Sequence, residues 1–348
     1  MMGLIKYSFW LFILVQLSCV EPPKPKTPEA TGPYENGFFV ISEGGFQREN
    51  GEVSFFSADS NKMFRGIFKN ANGEGLGDVV QSIYFNDTHG FIVVNNSAKV
   101  EVVDKKTFLR VATIMGFSSP RFFTEANGFG YVTDWVSNTV KIIDLNTFKI
   151  SGEIEVGKGP ETMVEIDGKL IVANNGGFEN DSTLSIIDLS TNQLEKTLWV
   201  ADAPETMHQM SDGLLYVLCR GRLHYPPESI ESLAHLVAVN TNNWIVQKKI
   251  QIGEIGLHPI RLTSDEIGEN LFFTSETGIY KHFIHDTDPL SFKVNSRFHY
   301  GIAIDNQRNH LLGAGKNYNN FIYRYNLSNF EPIDSMQVGE FSNGFKTN

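Results

Sequence analysis

The chain has 348 residues, a length that suits two or three ordinary domains or one large all-β barrel or propeller. Hydrophobic residues make up 41% and charged residues 20%, which is enough apolar material for a core and too little charge for a disordered chain. The formal net charge of −11 provides no general basic field and argues against nucleic acid as a partner. The 27 Phe, the 31 Gly and many short alternating runs indicate strands and turns.

The N-terminus has the pattern of a secretory signal peptide. Lys6 precedes about a dozen largely apolar positions, which are too few to span a bilayer. Segment 15–19 (VQLSC) resembles a bacterial lipobox, in which the cysteine is lipidated and becomes the new N-terminus. Gln16 departs from that motif, because an apolar residue is usual three positions before the cysteine. We therefore predict lipidation at Cys19, with plain secretion as the alternative.

Behind the predicted cleavage point the chain divides into a tether and one folded body. Residues 19–33 contain five prolines and almost nothing apolar, which is typical of an extended linker. We predict a signal peptide at 1–18, a lipidated cysteine and tether at 19–33, and a single domain at 34–348. Once Cys19 is lipidated, Cys219 is the only other cysteine, so no intrachain disulfide can form. We interpret Cys219 as a small buried strand residue.

A unit of four alternating runs separated by turn residues recurs along the chain. Segment 160–200 contains a complete unit, in which Asp167-Gly168 is typical of a tight hairpin. The second strand of each unit is expected to begin at Phe39, Ile92, Tyr131, Ile171, Tyr216, Phe272 and Leu311. The spacings between these positions, from 39 to 56 residues, suit a propeller blade with loop insertions. The sequence therefore predicts an all-β, seven-bladed β-propeller of four-stranded antiparallel blades.

The two ends of the chain are expected to close the ring of blades. Segment 338–346 (VGEFSNGFK) resembles segment 156–160 (VGKGP), which leads into a first strand, yet no further unit follows it. The first unit, which starts near Gly37, lacks its own innermost strand. We therefore expect the C-terminal segment to complete blade 1, so that no open sheet edge remains.

The central units resemble a known propeller family. Tyr131–Asp134 and Ile171–Asn174, each followed by an Ile-Ile-Asp-Leu strand, are similar to the Tyr-Val-Thr-Asn repeat, or YncE-like, propellers of surface-layer and secreted bacterial proteins. Three blades depart from the motif at the position of Asp134 and carry Ser42, Ser275 and Ala314.

Together, the lipobox, the tether and the propeller resemble the surface propeller lipoproteins of gut-type bacteria. Some of those capture vitamin B12 and pass it to a TonB-dependent outer-membrane transporter. The resemblance implies an exported outer-membrane lipoprotein, attached to the membrane only through its lipid anchor and displayed at either the cell surface or the periplasmic face. It also implies that a cobalamin-type cofactor is the ligand and that such a transporter is the partner.

Propeller ligands bind where the loops between second and third strands and those leading into innermost strands converge on one face. Amides, arginines and aromatic rings in these loops suit a large flat ligand, because amides contact its polar edge and rings cover its apolar faces. The candidate ligand-binding residues are Asn95, Arg121, Trp135, Glu161, Asn174, Asn175, Phe178, Glu205, Arg220, Arg222, His224, Tyr225, His258 and Tyr318. Turn geometry is the alternative role of the amides, and Glu161 and Glu205 recur in register, as structural repeat positions do.

Several functional classes share these features. A corrinoid, a heme-like tetrapyrrole, an oligosaccharide or a short peptide fits such a face, and only the resemblance favours the corrinoid. The nine histidines include no metal-binding pair on one element, and neither a Walker loop nor a nucleophile elbow is present in the sequence. We therefore predict a non-catalytic binding protein that requires no cofactor. The alternatives are a protein- or peptide-binding scaffold and a hydrolase or lyase with carboxylates from different blades.

Overall fold

The computed structural model describes residues 34–223, 230–290, 292–315 and 320–347. Within them, seven four-stranded antiparallel sheets form a β-propeller. Each innermost strand contacts those of the two neighbouring blades, so the innermost strands surround a central channel. All seven predicted positions lie in the second strand of their sheets, which confirms the predicted fold.

The first three blades include the short helix α1 (Ile67–Asn72), which lies between blades 1 and 2. Blade 1 contains β1 (Gly37–Ser42), β2 (Glu52–Ser57) and β3 (Lys62–Phe64). Blade 2 contains β4 (Val80–Phe85), β5 (His89–Val94), β6 (Lys99–Asp104) and β7 (Arg110–Met115). Blade 3 contains β8 (Pro120–Ala126), β9 (Phe129–Asp134), β10 (Thr139–Asp144) and β11 (Lys149–Glu155).

Blades 4 to 7 follow the same plan, with a 3-10 turn at Asn306–Arg308 in blade 7. Blade 4 contains β12 (Pro160–Ile166), β13 (Lys169–Asn174), β14 (Thr183–Asp188) and β15 (Gln193–Trp199). Blade 5 contains β16 (Pro204–Gln209), β17 (Leu214–Cys219), β18 (Ala234–Asn240) and β19 (Ile245–Ile252). Blade 6 contains β20 (Ile260–Ser264), β21 (Asn270–Ser275), β22 (Gly278–Phe283) and β23 (Phe292–Asn295). Blade 7 contains β24 (Gly301–Asp305), β25 (His310–Ala314), β26 (Phe321–Asn326) and β27 (Pro332–Gln337).

The last strand, β28 (Ser342–Thr347), is the innermost strand of blade 1. It pairs antiparallel with β1, placing Phe345 opposite Val40. The ring of Phe345 also lies 6.1 Å from that of Phe38, at an edge-on angle. The C-terminus therefore closes the propeller at blade 1, as the sequence predicts.

Burial follows from the packing of blades face against face. All six residues of β1 are buried, whereas the outer strand β15 is exposed along most of its length. Inner strands are covered by a neighbouring blade on each side, so they are apolar on both faces. Cys219 is fully buried in β17, and burial raises the pKa of its thiol, in agreement with its predicted structural role.

One buried histidine makes the stability of the fold sensitive to acid. His299 has no exposed surface, and its Nδ1 lies 3.2 Å from the carbonyl oxygen of Ala314. Its Nε2 lies 3.1 Å from the hydroxyl of Tyr325. Desolvation by burial lowers the pKa of the imidazole from 6.5 to about 4, so this ring stays neutral in the folded chain at mildly acidic pH.

We therefore expect the free energy of unfolding to fall as the pH drops from 6.5 to about 4. Across that window His299 gains a proton in the unfolded chain but not in the folded one, which costs about 3 kcal/mol by pH 4. Above pH 6.5 the contribution is constant. Urea unfolding at a series of pH values measures the slope, and His299→Asn is expected to reduce it without abolishing it, because burial also lowers the pKa of His208 and His282. An equal slope in the variant would contradict this assignment.

Candidate functional site

Six of the seven innermost strands begin with a local irregularity in strand pairing. In β4, β8, β12, β16, β20 and β28 the pairing with the neighbouring strand skips a position near the start of the strand. A β-bulge of this kind re-aims a side chain. The first residues skipped are Gln81, Arg121, Glu161, Glu205, Arg261 and Asn343. We call these six residues, with Tyr300 before β24 and Glu43 after β1, the axial ring.

One arc of the axial ring is a buried ion pair extended by an amide. Arg121 donates to Glu161 through two nitrogens, with Nε–Oε2 at 3.0 Å and Nη2–Oε1 at 2.8 Å. Its Nη1 donates to Oε1 of Gln81 at 2.6 Å. Glu161 is only 2% exposed, so its charge depends on this bidentate contact for compensation.

The other arc is centred on Arg261. Its Nη1 lies 3.5 Å from Oε1 of Glu205, and its Nε donates to the carbonyl oxygen of Tyr300 at 3.3 Å. Burial opposes the charge on Arg261, but Glu205 and the neighbouring carboxylates overcome that effect and raise its pKa. Glu43 accepts from the hydroxyl of Tyr300 at 3.1 Å and from Nδ2 of Asn343 at 2.9 Å.

The ring is polar and nearly balanced in charge. Its two arginines and three glutamates give a formal charge of −1. Burial raises the pKa of Tyr300 to about 12, so this phenol stays protonated at neutral pH. Every ring carboxylate contacts a donor within the ring. The arrangement suits the orientation of polar substituents at the mouth of the channel.

An aromatic stack covers one side of this ring. The guanidinium of Arg121 lies 3.9 Å from the ring centroid of Trp135, and Phe178 meets the same indole edge-on at 5.6 Å. Phe178 is 80% exposed. Its loop is fixed by Gly159, which has φ of 55° and whose Cβ, if present, would stand 2.0 Å from the backbone nitrogen of Gly177. We call the face formed by these loops and their equivalents in the other blades the crown.

Three of the candidate amides have partners within the protein. Asn95 donates to the hydroxyl of Ser119 at 3.0 Å. Asn174 is fully buried and donates to two hydroxyl groups of β14. Asn175 accepts from the backbone nitrogen of Gly177 at 2.8 Å. These contacts fix loop geometry, which is the alternative role that the sequence left open for them.

Other candidates form a cluster at blades 5 and 6. Arg222 lies 3.4 Å from Asp202. His258 contacts the carbonyl oxygen of Arg220 through Nδ1 at 2.8 Å and the carboxylate of Glu231 through Nε2 at 2.6 Å. This cluster ties the long loop of blade 5 to the start of blade 6.

The structure thus divides the predicted site residues into groups. Arg121, Trp135, Glu161 and Phe178 lie together, and Glu205 belongs to the opposite arc of the same ring. Four predicted residues lie outside the described residues, namely Cys19, His224, Tyr225 and Tyr318. Sequence reasoning missed five members of the axial ring, Glu43, Gln81, Arg261, Tyr300 and Asn343.

The sequence contains a signal for only some of the missed residues. Arg121, Glu161 and Glu205 each follow a proline, which marks the start of an innermost strand. Val80 and Ser342 replace that proline before Gln81 and Asn343. Pro259 could have pointed to Arg261, but one additional residue separates them, so a search in strict register passes over it.

Two negative findings concern only the part of the chain that the structure describes. No group of three or more His, Cys, Asp or Glu side chains there is arranged to hold a metal ion. No helix there has the length and apolar character needed to cross a membrane.

Comparison with known protein families assigns the chain to one family. Residues 36–344 match a family described as a domain of unknown function, DUF5074. The chain belongs to the DUF5074 family. A search of curated proteins found no match to this DUF5074 chain.

Solved structures similar to the DUF5074 chain share its fold at low sequence identity. Hydrazine synthase of Kuenenia stuttgartiensis has a TM-score of 0.58 at 15% identity, over 74% of this chain and 85% of that one. Dihydro-heme d1 dehydrogenase NirN in complex with DHE has a TM-score of 0.60 at 11% identity, over 93% and 77%. The computationally designed Ika8 protein has a TM-score of 0.58 at 10% identity, over 87% and 88%. Such identities show the fold alone, and the neighbours include enzymes.

Proposed function

We propose that the crown binds a ligand without converting it chemically. The observation that carries this proposal is the Arg121–Trp135–Phe178 stack, which places an exposed aromatic ring beside the polar mouth of the channel. An exposed ring beside polar side chains can cover an apolar face of a ligand while those side chains contact its polar edge. The axial ring supplies donors and acceptors for the polar edge of the same ligand.

The ligand that we propose is a cobalamin-type cofactor. A corrinoid is large, flat and polar at its edge, and it therefore suits an aromatic stack next to a ring of polar side chains. We further propose that the protein is exported, lipidated at Cys19 and displayed at the outer membrane, and that it passes the ligand to a TonB-dependent transporter. These finer assignments rest on the resemblance of the sequence to surface propeller lipoproteins.

A protein-binding scaffold is the second candidate function. Four apolar side chains in crown loops of four blades are exposed by 59% to 81%, namely Phe46, Val136, Ile230 and Ile255. A protein partner could contact all four at once, whereas a small ligand could not.

Calorimetric titration of the mature protein with cyanocobalamin, heme and an oligosaccharide panel tests the first proposal. Trp135→Ala and Phe178→Ala are each expected to weaken binding by roughly 1 kcal/mol or more, because each removes ring contact with the ligand. The sequence predicts the same effect for Tyr225→Ala. The matched control is Trp199→Ala, which removes a tryptophan that is 74% exposed on the outer strand β15. The control is expected to bind like the parent protein.

The same experiment separates the two candidate functions. Unchanged affinity in Trp135→Ala and Phe178→Ala would place the site elsewhere on the molecule. No heat with any ligand, together with co-purification of an outer-membrane transporter, would favour the scaffold. In that case Phe46→Ala is expected to weaken the association with the transporter, since Phe46 lies in the crown but outside the aromatic stack.

A further inference from the structure

The channel next to the axial ring contains a cavity of about 220 Å³. Gln81, Arg261 and Asn343 line it, together with apolar side chains that include Ile83 and Phe345. Ligand pockets usually measure roughly 300–1,000 Å³, so this cavity is too small for a whole large ligand. It has room for one substituent of a ligand.

The first unpaired polar atom belongs to Gln81, one of the residues that line this cavity. Its Oε1 accepts from Nη1 of Arg121 at 2.6 Å, and because a guanidinium only donates, this contact establishes which terminal atom is oxygen. Nε2 is therefore a donor. It is buried and has no hydrogen-bond partner among the described residues, and Gln81 as a whole is 4% exposed.

The second unpaired atom belongs to Asn343 on β28. Its Nδ2 donates to Oε1 of Glu43 at 2.9 Å and to the backbone carbonyl of Gln81 at 3.0 Å. Both partners are acceptors, so the orientation of this amide is also fixed. Oδ1 is left as a buried acceptor without a partner among the described residues, in a side chain that is 3% exposed.

We propose that this cavity receives an uncharged carboxamide group of the ligand bound at the crown, an inference that rests on the proposed function. A carboxamide carries a donor and an acceptor on separate atoms, so it can pair with Oδ1 of Asn343 and Nε2 of Gln81 together. A carboxylate has no donor for Asn343 and meets a ring of formal charge −1. An ammonium group has no acceptor for Gln81. A hydroxyl has only one oxygen atom, which would have to donate to Oδ1 of Asn343 and accept from Nε2 of Gln81 at the same time.

A series of three-carbon compounds tests this selectivity directly on the full protein. Ligand-observed NMR titrations with propionamide, 1-propanol, propionate and propylammonium compare the four chemistries at nearly constant size. We expect propionamide to bind about tenfold more tightly than each of the others, which corresponds to one additional satisfied buried hydrogen bond.

The variant Gln81→Glu sharpens the test. It keeps an oxygen for Arg121 but removes the donor to the ligand. The affinity for propionamide is therefore expected to fall about tenfold, and the affinity for propylammonium is expected to rise. Gln209→Glu is the matched control, because it makes the same change at an exposed position at the far end of β16. The control is expected to leave all four affinities unchanged.

Equal affinity for the four compounds, or unchanged propionamide binding in a folded Gln81→Glu variant, would overturn the inference. A high-resolution structure with propionamide present that shows only water at the two amides would overturn it as well. If Gln81→Glu does not fold, the series on the parent protein decides. A third outcome is that the protein prefers propionamide but shows no binding heat with any larger ligand. That outcome would contradict the proposed function and still support an amide site in the channel.

Discussion

A chain that ends at Gln337 is expected to show no cooperative unfolding transition. Such a chain lacks β28, so β1 loses its inner partner and the channel wall opens between blades 7 and 2. The expected loss exceeds about 5 kcal/mol, the lower end of the stability of a whole domain, because core contacts such as Phe38 with Phe345 disappear with the strand. Differential scanning calorimetry measures the transition directly.

Two controls accompany the truncation. A synthetic peptide of residues 338–348, added in trans, is expected to restore a melting transition that depends on peptide concentration, since it supplies the missing strand. Removal of residues 1–33 is expected to leave the transition in place. A truncated chain that melts like the parent would disprove closure by the C-terminus.

Replacing Arg121 by methionine is expected to destabilise the folded chain by about 3–5 kcal/mol. The substitution leaves the carboxylate of Glu161 buried at 2% exposure without its bidentate partner. It also deprives Oε1 of Gln81 of its donor. Denaturant unfolding at pH 7 measures the change in the free energy of unfolding.

A second substitution distinguishes a broken ion pair from lost packing. Arg121→Met combined with Glu161→Gln removes the unpaired charge and is expected to recover most of the stability. Arg48→Ala is the surface control, because Arg48 lies 3.5 Å from Glu340 with 55% of its side chain exposed. That loss is expected to stay within about 1 kcal/mol. Equal losses in Arg121→Met and Arg48→Ala would contradict the role given to the axial ring.

The fold could be predicted because short-range sequence patterns specify it. Alternating apolar residues and turn pairs such as Asp167-Gly168 specify strands and hairpins locally, and their regular recurrence specifies the number of blades. Closure was also visible, since segment 338–346 resembles segment 156–160. These signals depend on neighbouring residues in the chain, which a single sequence displays directly.

The candidate site was only partly predictable, because its contacts join different blades. Arg121 and Glu161 recur in register, but their bidentate pairing spans 40 positions and depends on how adjacent blades pack. Gln81 and Asn343 are brought to the axis by irregular strand pairing, which no residue type marks in the sequence. The aromatic stack depends in a similar way on Gly159, whose close approach to Gly177 shows only in three dimensions.

At the bulges that begin the innermost strands, the residue that contacts the channel is not the residue that maintains strand pairing. A residue skipped by the strand ladder faces the axis while its neighbours maintain the pairing of the sheet. We expect complementary exchanges at such positions, for example the reversal of the Arg121 and Glu161 charges, to alter the chemistry of the channel mouth while strand pairing is retained. The residues that we propose to contact a ligand can therefore be exchanged in complementary pairs from neighbouring blades.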